Sequence, residues 1–173
     1  SLGEIDNKTL YRENYSPIYW SFLYFLTKIF PSHYQIEVSH LINTLLSLGT
    51  IFGIRKLSQE LFNYKVGNLV FLILFFYPIF FGHMAINSKD TVLAFSHIWI
   101  LYFVLRYLKK QNIKNKSNNY IIYIGLLSAL GTGIQLVFLG SLIPFFLFIL
   151  AEIFIFKKFI SKNFILKKFF FDF

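Results

Sequence analysis

The sequence predicts an all-α protein, a polytopic bundle of transmembrane helices, and two observations carry that prediction. Hydrophobic residues make up 56% and aromatic residues 21% of only 173 residues, with a mean hydropathy of +0.59. A soluble domain of this length needs a polar shell, which this composition does not supply. The apolar residues are also gathered into several runs that approach the roughly 20 residues needed to cross a bilayer.

The N-terminal part is expected to lie along the membrane before it enters it. We predict an outer-face loop over residues 1–35 that contains an interfacial helix at 16–30, SPIYWSFLYFLTKIF. This helix is too short to span a bilayer, and its tyrosines and tryptophan favour the headgroup level. Pro17 suits its first turn and Pro31 ends it.

Five transmembrane spans are predicted in the core, residues 36–156. The last two come from one apolar stretch of 37 residues, 120–156, which as a single helix would extend about 55 Å, nearly twice the hydrocarbon thickness. A glycine turn at GTGIQ, residues 131–135, would divide it. The predicted spans lie at about 36–54, 66–82, 91–108, 120–134 and 139–156.

The basic residues predict the orientation of the bundle. The formal charge is +9, and the Lys and Arg residues are concentrated in the linkers 55–65 and 106–119 and in the tail 157–173. No basic face interleaved with aromatic residues is left, so nucleic acid is not an expected partner. The positive-inside rule places these three segments in the cytoplasm, and the loop before residue 91 and the GTGIQ turn on the opposite face. The absence of cysteine excludes disulfides and thiolate metal sites.

This orientation gives a first testable prediction. Single cysteines that replace Asn87 and Lys114 should react with a membrane-impermeant maleimide from opposite sides of the membrane, because one lies in the weakly basic loop and the other in the most basic linker. A permeant maleimide should label both. Labelling of both positions from one side by the impermeant reagent would contradict the topology.

A polar island interrupts the apolar run FFYPIFFGHMAINSKDTVLAF, residues 75–95. Its leading candidate for chemistry is Asp90, because a partly desolvated carboxylate at the mouth of a helical bundle can act as a base or hold a cation. The alternative is that Asp90 only caps a helix beginning at Thr91. The two interpretations are compatible, since a cap can also be a ligand.

Other polar residues have weaker signals. Lys89 could meet a phosphate on the outer face, or its ammonium could simply snorkel to the headgroups. His83 and His97 lack the spacing of metal ligands, which favours headgroup-level or interior histidines. The sequence contains no phosphate-binding glycine loop, nucleophile elbow or zinc motif.

The order of these features resembles that of the GT-C membrane glycosyltransferases. The run YPIFFGHMAINSKDTVLAF, residues 77–95, together with SHLIN at 39–43 and GTGIQLVFLGSLIP at 131–144, is similar to the dolichyl-phosphate-mannose protein mannosyltransferase-like proteins of bacteria. The resemblance covers nearly all of the chain. It implies an integral, multi-pass protein of the bacterial inner membrane.

The resemblance also implies a reaction, the inverting transfer of a sugar from a polyprenyl-phosphate carrier to an acceptor on the outer face. Asp90 matches the acidic residue that this family carries at a helix start in its second outer loop. The principal catalytic Asp of the family lies in the first outer loop, where Asp6, Glu4 and Glu13 are the residues that could match. We therefore assign Asp90 and Asp6 as catalytic candidates.

The remaining assignments concern the substrate. The candidates for substrate binding are Lys89, His83, Asn87 and Gln135, although Gln135 stands where many relatives carry Arg. The expected partners are membrane lipid and the polyprenyl-phosphate sugar donor, and the sequence leaves the sugar and its acceptor undetermined. It indicates no cofactor, and a divalent cation stays an option.

Two further expectations complete this interpretation. The chain is expected to be a piece of a longer polytopic protein and to be inactive alone. The competing classes are a small polytopic transporter or lipid flippase, and a non-catalytic membrane subunit. A transporter would more typically show internal symmetry or charges near the bilayer midplane, which the sequence lacks.

Overall fold

The prediction of an all-α protein is confirmed. The computed structural model describes residues 21, 24–25, 29–30, 34–83, 88–111, 114–157, 160, 166 and 169, with the backbone alone at 35, 79, 81, 83, 88 and 114–118. No β-strand occurs in this part of the chain. The elements are α1 (Gln35–Leu61), α2 (Tyr64–Phe75), α3 (Pro78–His83), α4 (Ser88–Lys110), α5 (Lys114–Ile134), α6 (Val137–Ser141), α7 (Ile143–Ala151) and a π-helical turn (Glu152–Phe156).

Among the residues that the structure describes, three helical runs are long and apolar enough to cross a membrane: Ile36–Leu61, Lys89–Lys110 and Val137–Phe156. Two further apolar helices are shorter, Tyr64–Phe75 and Asn119–Ile134. Large hydrophobic side chains cover the outside of the bundle, as expected for a lipid-facing surface, including Leu41, Leu45, Leu69, Leu72, Ile73, Leu126 and Leu147. The structure therefore suits a polytopic membrane protein, and the number of spans stays a prediction.

The observed helix boundaries differ from the predicted ones at Pro78 and at the glycines of GTGIQ. The stretch 66–82 is divided between α2 and α3, because a residue that precedes proline, here Tyr77, disfavours helical geometry. The helix of the fourth predicted span begins at Lys114, and it continues through the glycines of GTGIQ to Ile134. The predicted interfacial helix at 16–30 and the tail 157–173 lie for the most part outside the described residues.

Gly131 serves close packing rather than the turn for which it was predicted. A Cβ atom at this position would lie 2.5 Å from the ring of Phe138, the buried residue of α6. The absence of a side chain therefore lets α6 fold back against the last turn of α5. The reversal itself occurs at Gln135 and Leu136, one residue beyond the end of the helix.

The central helix is α4, which packs on α1 on one side and on α5 on the other. At the crossing with α1, the indole nitrogen of Trp99 donates a hydrogen bond to the carbonyl oxygen of Gly49, at 3.1 Å. The neighbouring Gly53 leaves room for Ile98, whose methyl group would lie 2.7 Å from a Cβ atom there. Small residues thus allow the two helices to approach closely, as they do in membrane bundles generally.

Candidate functional site

The start of α4 and the end of α5 meet at one end of the bundle. Val92 and Ile134, each 2% exposed, belong to one buried cluster, against which Ile42 and Leu46 of α1 also pack. Asp90 lies two residues before Val92, and Gln135 directly follows Ile134. The structure therefore brings two of the predicted site residues to the same end, which we call the polar end.

Asp90 is an exposed residue in the first turn of α4. The interpretation of Asp90 as the N-cap of a helix beginning at Thr91 is wrong, because the helix already begins at Ser88. Inside the first turn the carboxylate still complements the positive end of the helix dipole, by about 0.3–1 kcal/mol. This contribution of the helix dipole is small.

Lys89 is half-buried and precedes Asp90 in the same turn of α4. The polar end thus combines an exposed carboxylate, an ammonium group and the positive end of a helix dipole. Such a combination can accept a proton through the carboxylate and can balance negative charge through the ammonium group.

Gln135 forms the turn between α5 and α6. Its backbone N–H donates to the carbonyl oxygen of Gly131 at 3.1 Å, and its own carbonyl oxygen accepts from the N–H of Phe138 at 2.9 Å. These two bonds hold the residue at the polar end, with its side chain half-buried. An amide there offers hydrogen bonds without the charge that an arginine would provide.

The other predicted site residues are less fully placed. His83 ends α3, and its side chain is not described. Asn87 and Asp6 lie outside the described residues. No group of three or more His, Cys, Asp or Glu side chains that could hold a metal ion occurs among the residues that the structure describes.

His97 is half-buried and connects α6 to α4. Its Nδ1 atom lies 3.0 Å from the carbonyl oxygen of Leu93, and its Nε2 atom lies 2.6 Å from Oγ of Ser141. The ring lies between Phe138 and Phe145, with centroid distances of 4.2 and 5.6 Å. Sequence reasoning did not predict this connection, since no local pattern pairs residues that lie 44 positions apart.

At the opposite end of the bundle, an ion cluster joins α1 to α4. Glu60 forms ion pairs with both Arg106 and Lys109. The Nζ atom of Lys109 lies 2.9 Å from the Oε2 atom of Glu60. The same ammonium group donates to the carbonyl oxygen of Glu60 at 2.8 Å. We call this the basic end. The sequence signal for it was available, since Glu60 is the only acidic residue in the linker 55–65.

The basic end also holds α2 against α1. Nε of Arg55 donates to Oδ1 of Asn68 at 2.9 Å, and its guanidinium group reaches the hydroxyl of Tyr64 at 3.3 Å. Asn63 caps α2, accepting from the N–H of Val66 at 2.9 Å. The residues predicted as a basic linker therefore form an ordered connection between two helices.

The ion cluster gives a second prediction. Glu60→Gln should destabilise the protein by about 1–3 kcal/mol, because it leaves two neighbouring cations without a carboxylate in a partly buried position. Thermal unfolding in detergent measures this effect. The matched control is Glu37→Gln, which removes an exposed acid from the first turn of α1 and should change stability by less than about 0.5 kcal/mol. Equal losses in the two variants would show that the cluster does not stabilise the helix pair.

The apolar helices and the charged groups at their two ends define a polytopic membrane protein. Its sequence matches the family model of the dolichyl-phosphate-mannose-protein mannosyltransferases over residues 15–167. The chain belongs to this family of membrane glycosyltransferases, as its resemblance to them had predicted. Comparison with curated proteins and with solved structures gave no match.

Proposed function

We propose that the protein takes part in the transfer of a sugar from a polyprenyl-phosphate-linked donor to an acceptor on the extracytoplasmic face of the membrane. The observation that carries this proposal is the family match over residues 15–167. It is supported by the common position of Asp90, Lys89 and Gln135 at the polar end, away from the basic end that the positive-inside rule assigns to the cytoplasm.

In the proposed reaction, an oxygen atom of the acceptor attacks C1 of the sugar, and the bond between C1 and the phosphate oxygen breaks. The configuration at C1 is inverted, and polyprenyl phosphate leaves with the electron pair of that bond. The carboxylate of Asp90 takes the proton of the acceptor hydroxyl or orients that hydroxyl. Asp6 is the proposed second acidic residue at this site.

The donor phosphate is proposed to lie against the start of α4. Lys89 would balance its negative charge, with help from the helix N-terminus. Gln135 would donate a hydrogen bond to the phosphate or to a sugar hydroxyl, and His83 and Asn87 would contact the donor from the loop before α4. If the reaction uses a divalent cation, Asp90 would supply one oxygen ligand to it.

The fate of a labelled donor distinguishes this proposal from a transporter or flippase. Full-length protein is incorporated into membranes of the source cell, which contain the acceptor, and supplied with polyprenyl-phosphate mannose labelled in the sugar. A transferase moves the label into a product that is no longer extractable with the donor, and releases an equal amount of polyprenyl phosphate. Recovery of the intact labelled donor, merely moved to the other leaflet, would favour a flippase and contradict the proposal.

A further inference from the structure

A half-open apolar cavity of about 350 Å³ lies between α1, α4 and α7, near the basic end. It is lined by Leu57 and Leu61 of α1, by four aliphatic side chains of α4 between positions 101 and 108, and by three apolar side chains of α7 between positions 145 and 149. All of these described lining residues are apolar. The proposed transfer reaction makes no use of this cavity.

The volume of the cavity suits a hydrocarbon chain. A cavity of about 150 Å³ with a similar lining binds benzene, so 350 Å³ accommodates roughly a dozen carbon atoms. The cavity therefore has room for most of one acyl chain.

The excess of positive charge at the basic end favours an anionic lipid. Seven cationic side chains of the described residues lie in this region, against the carboxylates of Glu60 and Glu152; they are Arg55, Lys56, Lys65, Arg106, Lys109, Lys110 and Lys157. A phosphate group at this end of the bundle would meet the excess of positive charge.

The position of the cavity separates it from the proposed donor site. Leu101 and Leu108 lie 11 and 18 residues beyond Asp90 on α4, or about 16 and 27 Å along the helix axis. In a hydrocarbon core about 30 Å thick, the cavity therefore lies in the leaflet opposite to Asp90. A donor with its phosphate at Asp90 would begin in the other leaflet.

We propose that this cavity is a binding site for one acyl chain of an anionic phospholipid of the cytoplasmic leaflet. The phosphate of that lipid lies against the cations of the basic end. The bound chain fills the space between α1, α4 and α7 and so holds α7 against the bundle. This inference does not depend on sugar transfer.

The test is lipid retention by the full-length protein. The protein is reconstituted in vesicles of equal phosphatidylglycerol and phosphatidylcholine, extracted into detergent, and examined by native mass spectrometry. We expect one retained phospholipid for each chain, with phosphatidylglycerol favoured by about fivefold or more, which corresponds to at least one Lys or Arg near the phosphate.

Filling the cavity should release the lipid. Leu105→Trp should lower retention by about tenfold or more, because each methylene excluded from the cavity weakens binding by about fourfold. Leu61→Phe is a milder replacement near the end of α1, for use if the first variant does not fold. The matched control is Leu126→Trp on the exposed face of α5, which should retain lipid as the unchanged protein does.

Three outcomes would overturn the inference. These are retention without preference for the anionic lipid, unchanged retention in a folded cavity-filling variant, and preferential retention of polyprenyl phosphate when that lipid is added to the vesicles. Because the readout is binding, a failure here leaves the proposed transfer reaction unaffected.

Discussion

Asp90→Asn in the full-length protein is expected to lower the rate of sugar transfer by roughly 100-fold or more while the protein stays folded. The substitution keeps the size of the side chain and removes its charge. If the carboxylate accepts the proton of the acceptor or holds a cation at the donor phosphate, the neutral amide cannot replace it. Turnover of polyprenyl-phosphate mannose measures the effect.

Stability and rate can be separated in this variant. Since Asp90 lies exposed in the first turn of α4 rather than at its cap, the loss of its charge should cost no more than about 1 kcal/mol of stability. Glu37→Gln removes an acidic residue from the first turn of α1 and serves as the control for charge alone. Full activity of the Asn variant would mean that Asp90 contributes only to the helix.

Gly67→Ala is expected to have the largest effect on stability. Gly67 is the buried residue of α2, and a Cβ atom there would lie 2.8 Å from the carbonyl oxygen of Arg55 and 3.2 Å from the backbone nitrogen of Gln59. Because these are backbone atoms, relief requires α1 and α2 to move apart. Overpacking of this kind costs about 1–3 kcal/mol, and the hydrogen bonds of Asn68 to Arg55 and Gln59 would weaken with it.

Gly125→Ala is the matched control for this change. A Cβ atom at Gly125 meets no other atom within 4 Å, and the residue is exposed on α5. Alanine there should be neutral or stabilise the helix by up to about 1 kcal/mol, as its helix propensity indicates. Thermal unfolding of the two variants in the same detergent makes the comparison. A Gly67 variant as stable as the Gly125 variant would contradict the close contact of α1 and α2.

Sequence patterns were sufficient to predict the helical architecture, because each membrane helix is marked by a continuous apolar run in the sequence. The apolar runs and the alternation of linkers predicted an all-α bundle, and the structure has helices in each predicted span. The boundaries depended on contacts that a local pattern does not contain. Gly131 marked a turn in the sequence, whereas in the structure its missing side chain makes room for the ring of Phe138.

The candidate site was predicted only in part, for a related reason. The polar island at Asp90 stands out because charges are rare among apolar runs. Asp90 and Gln135 lie at the same end of the bundle because Val92 and Ile134 belong to one buried cluster. These two residues are far apart in sequence, so no local pattern predicts their contact. The ion cluster of Glu60 required α1 and α4 to continue into stretches that composition alone assigned to linkers.

The most direct test of the proposed function is the choice of sugar donor by the purified full-length protein. With membranes of the source cell as the acceptor, the protein is supplied either with polyprenyl-phosphate mannose or with a nucleotide-linked mannose. We expect release of polyprenyl phosphate from the first donor, nearly abolished by Asp90→Asn, and no transfer from the second. Transfer from the nucleotide sugar without consumption of the lipid donor would contradict the proposal.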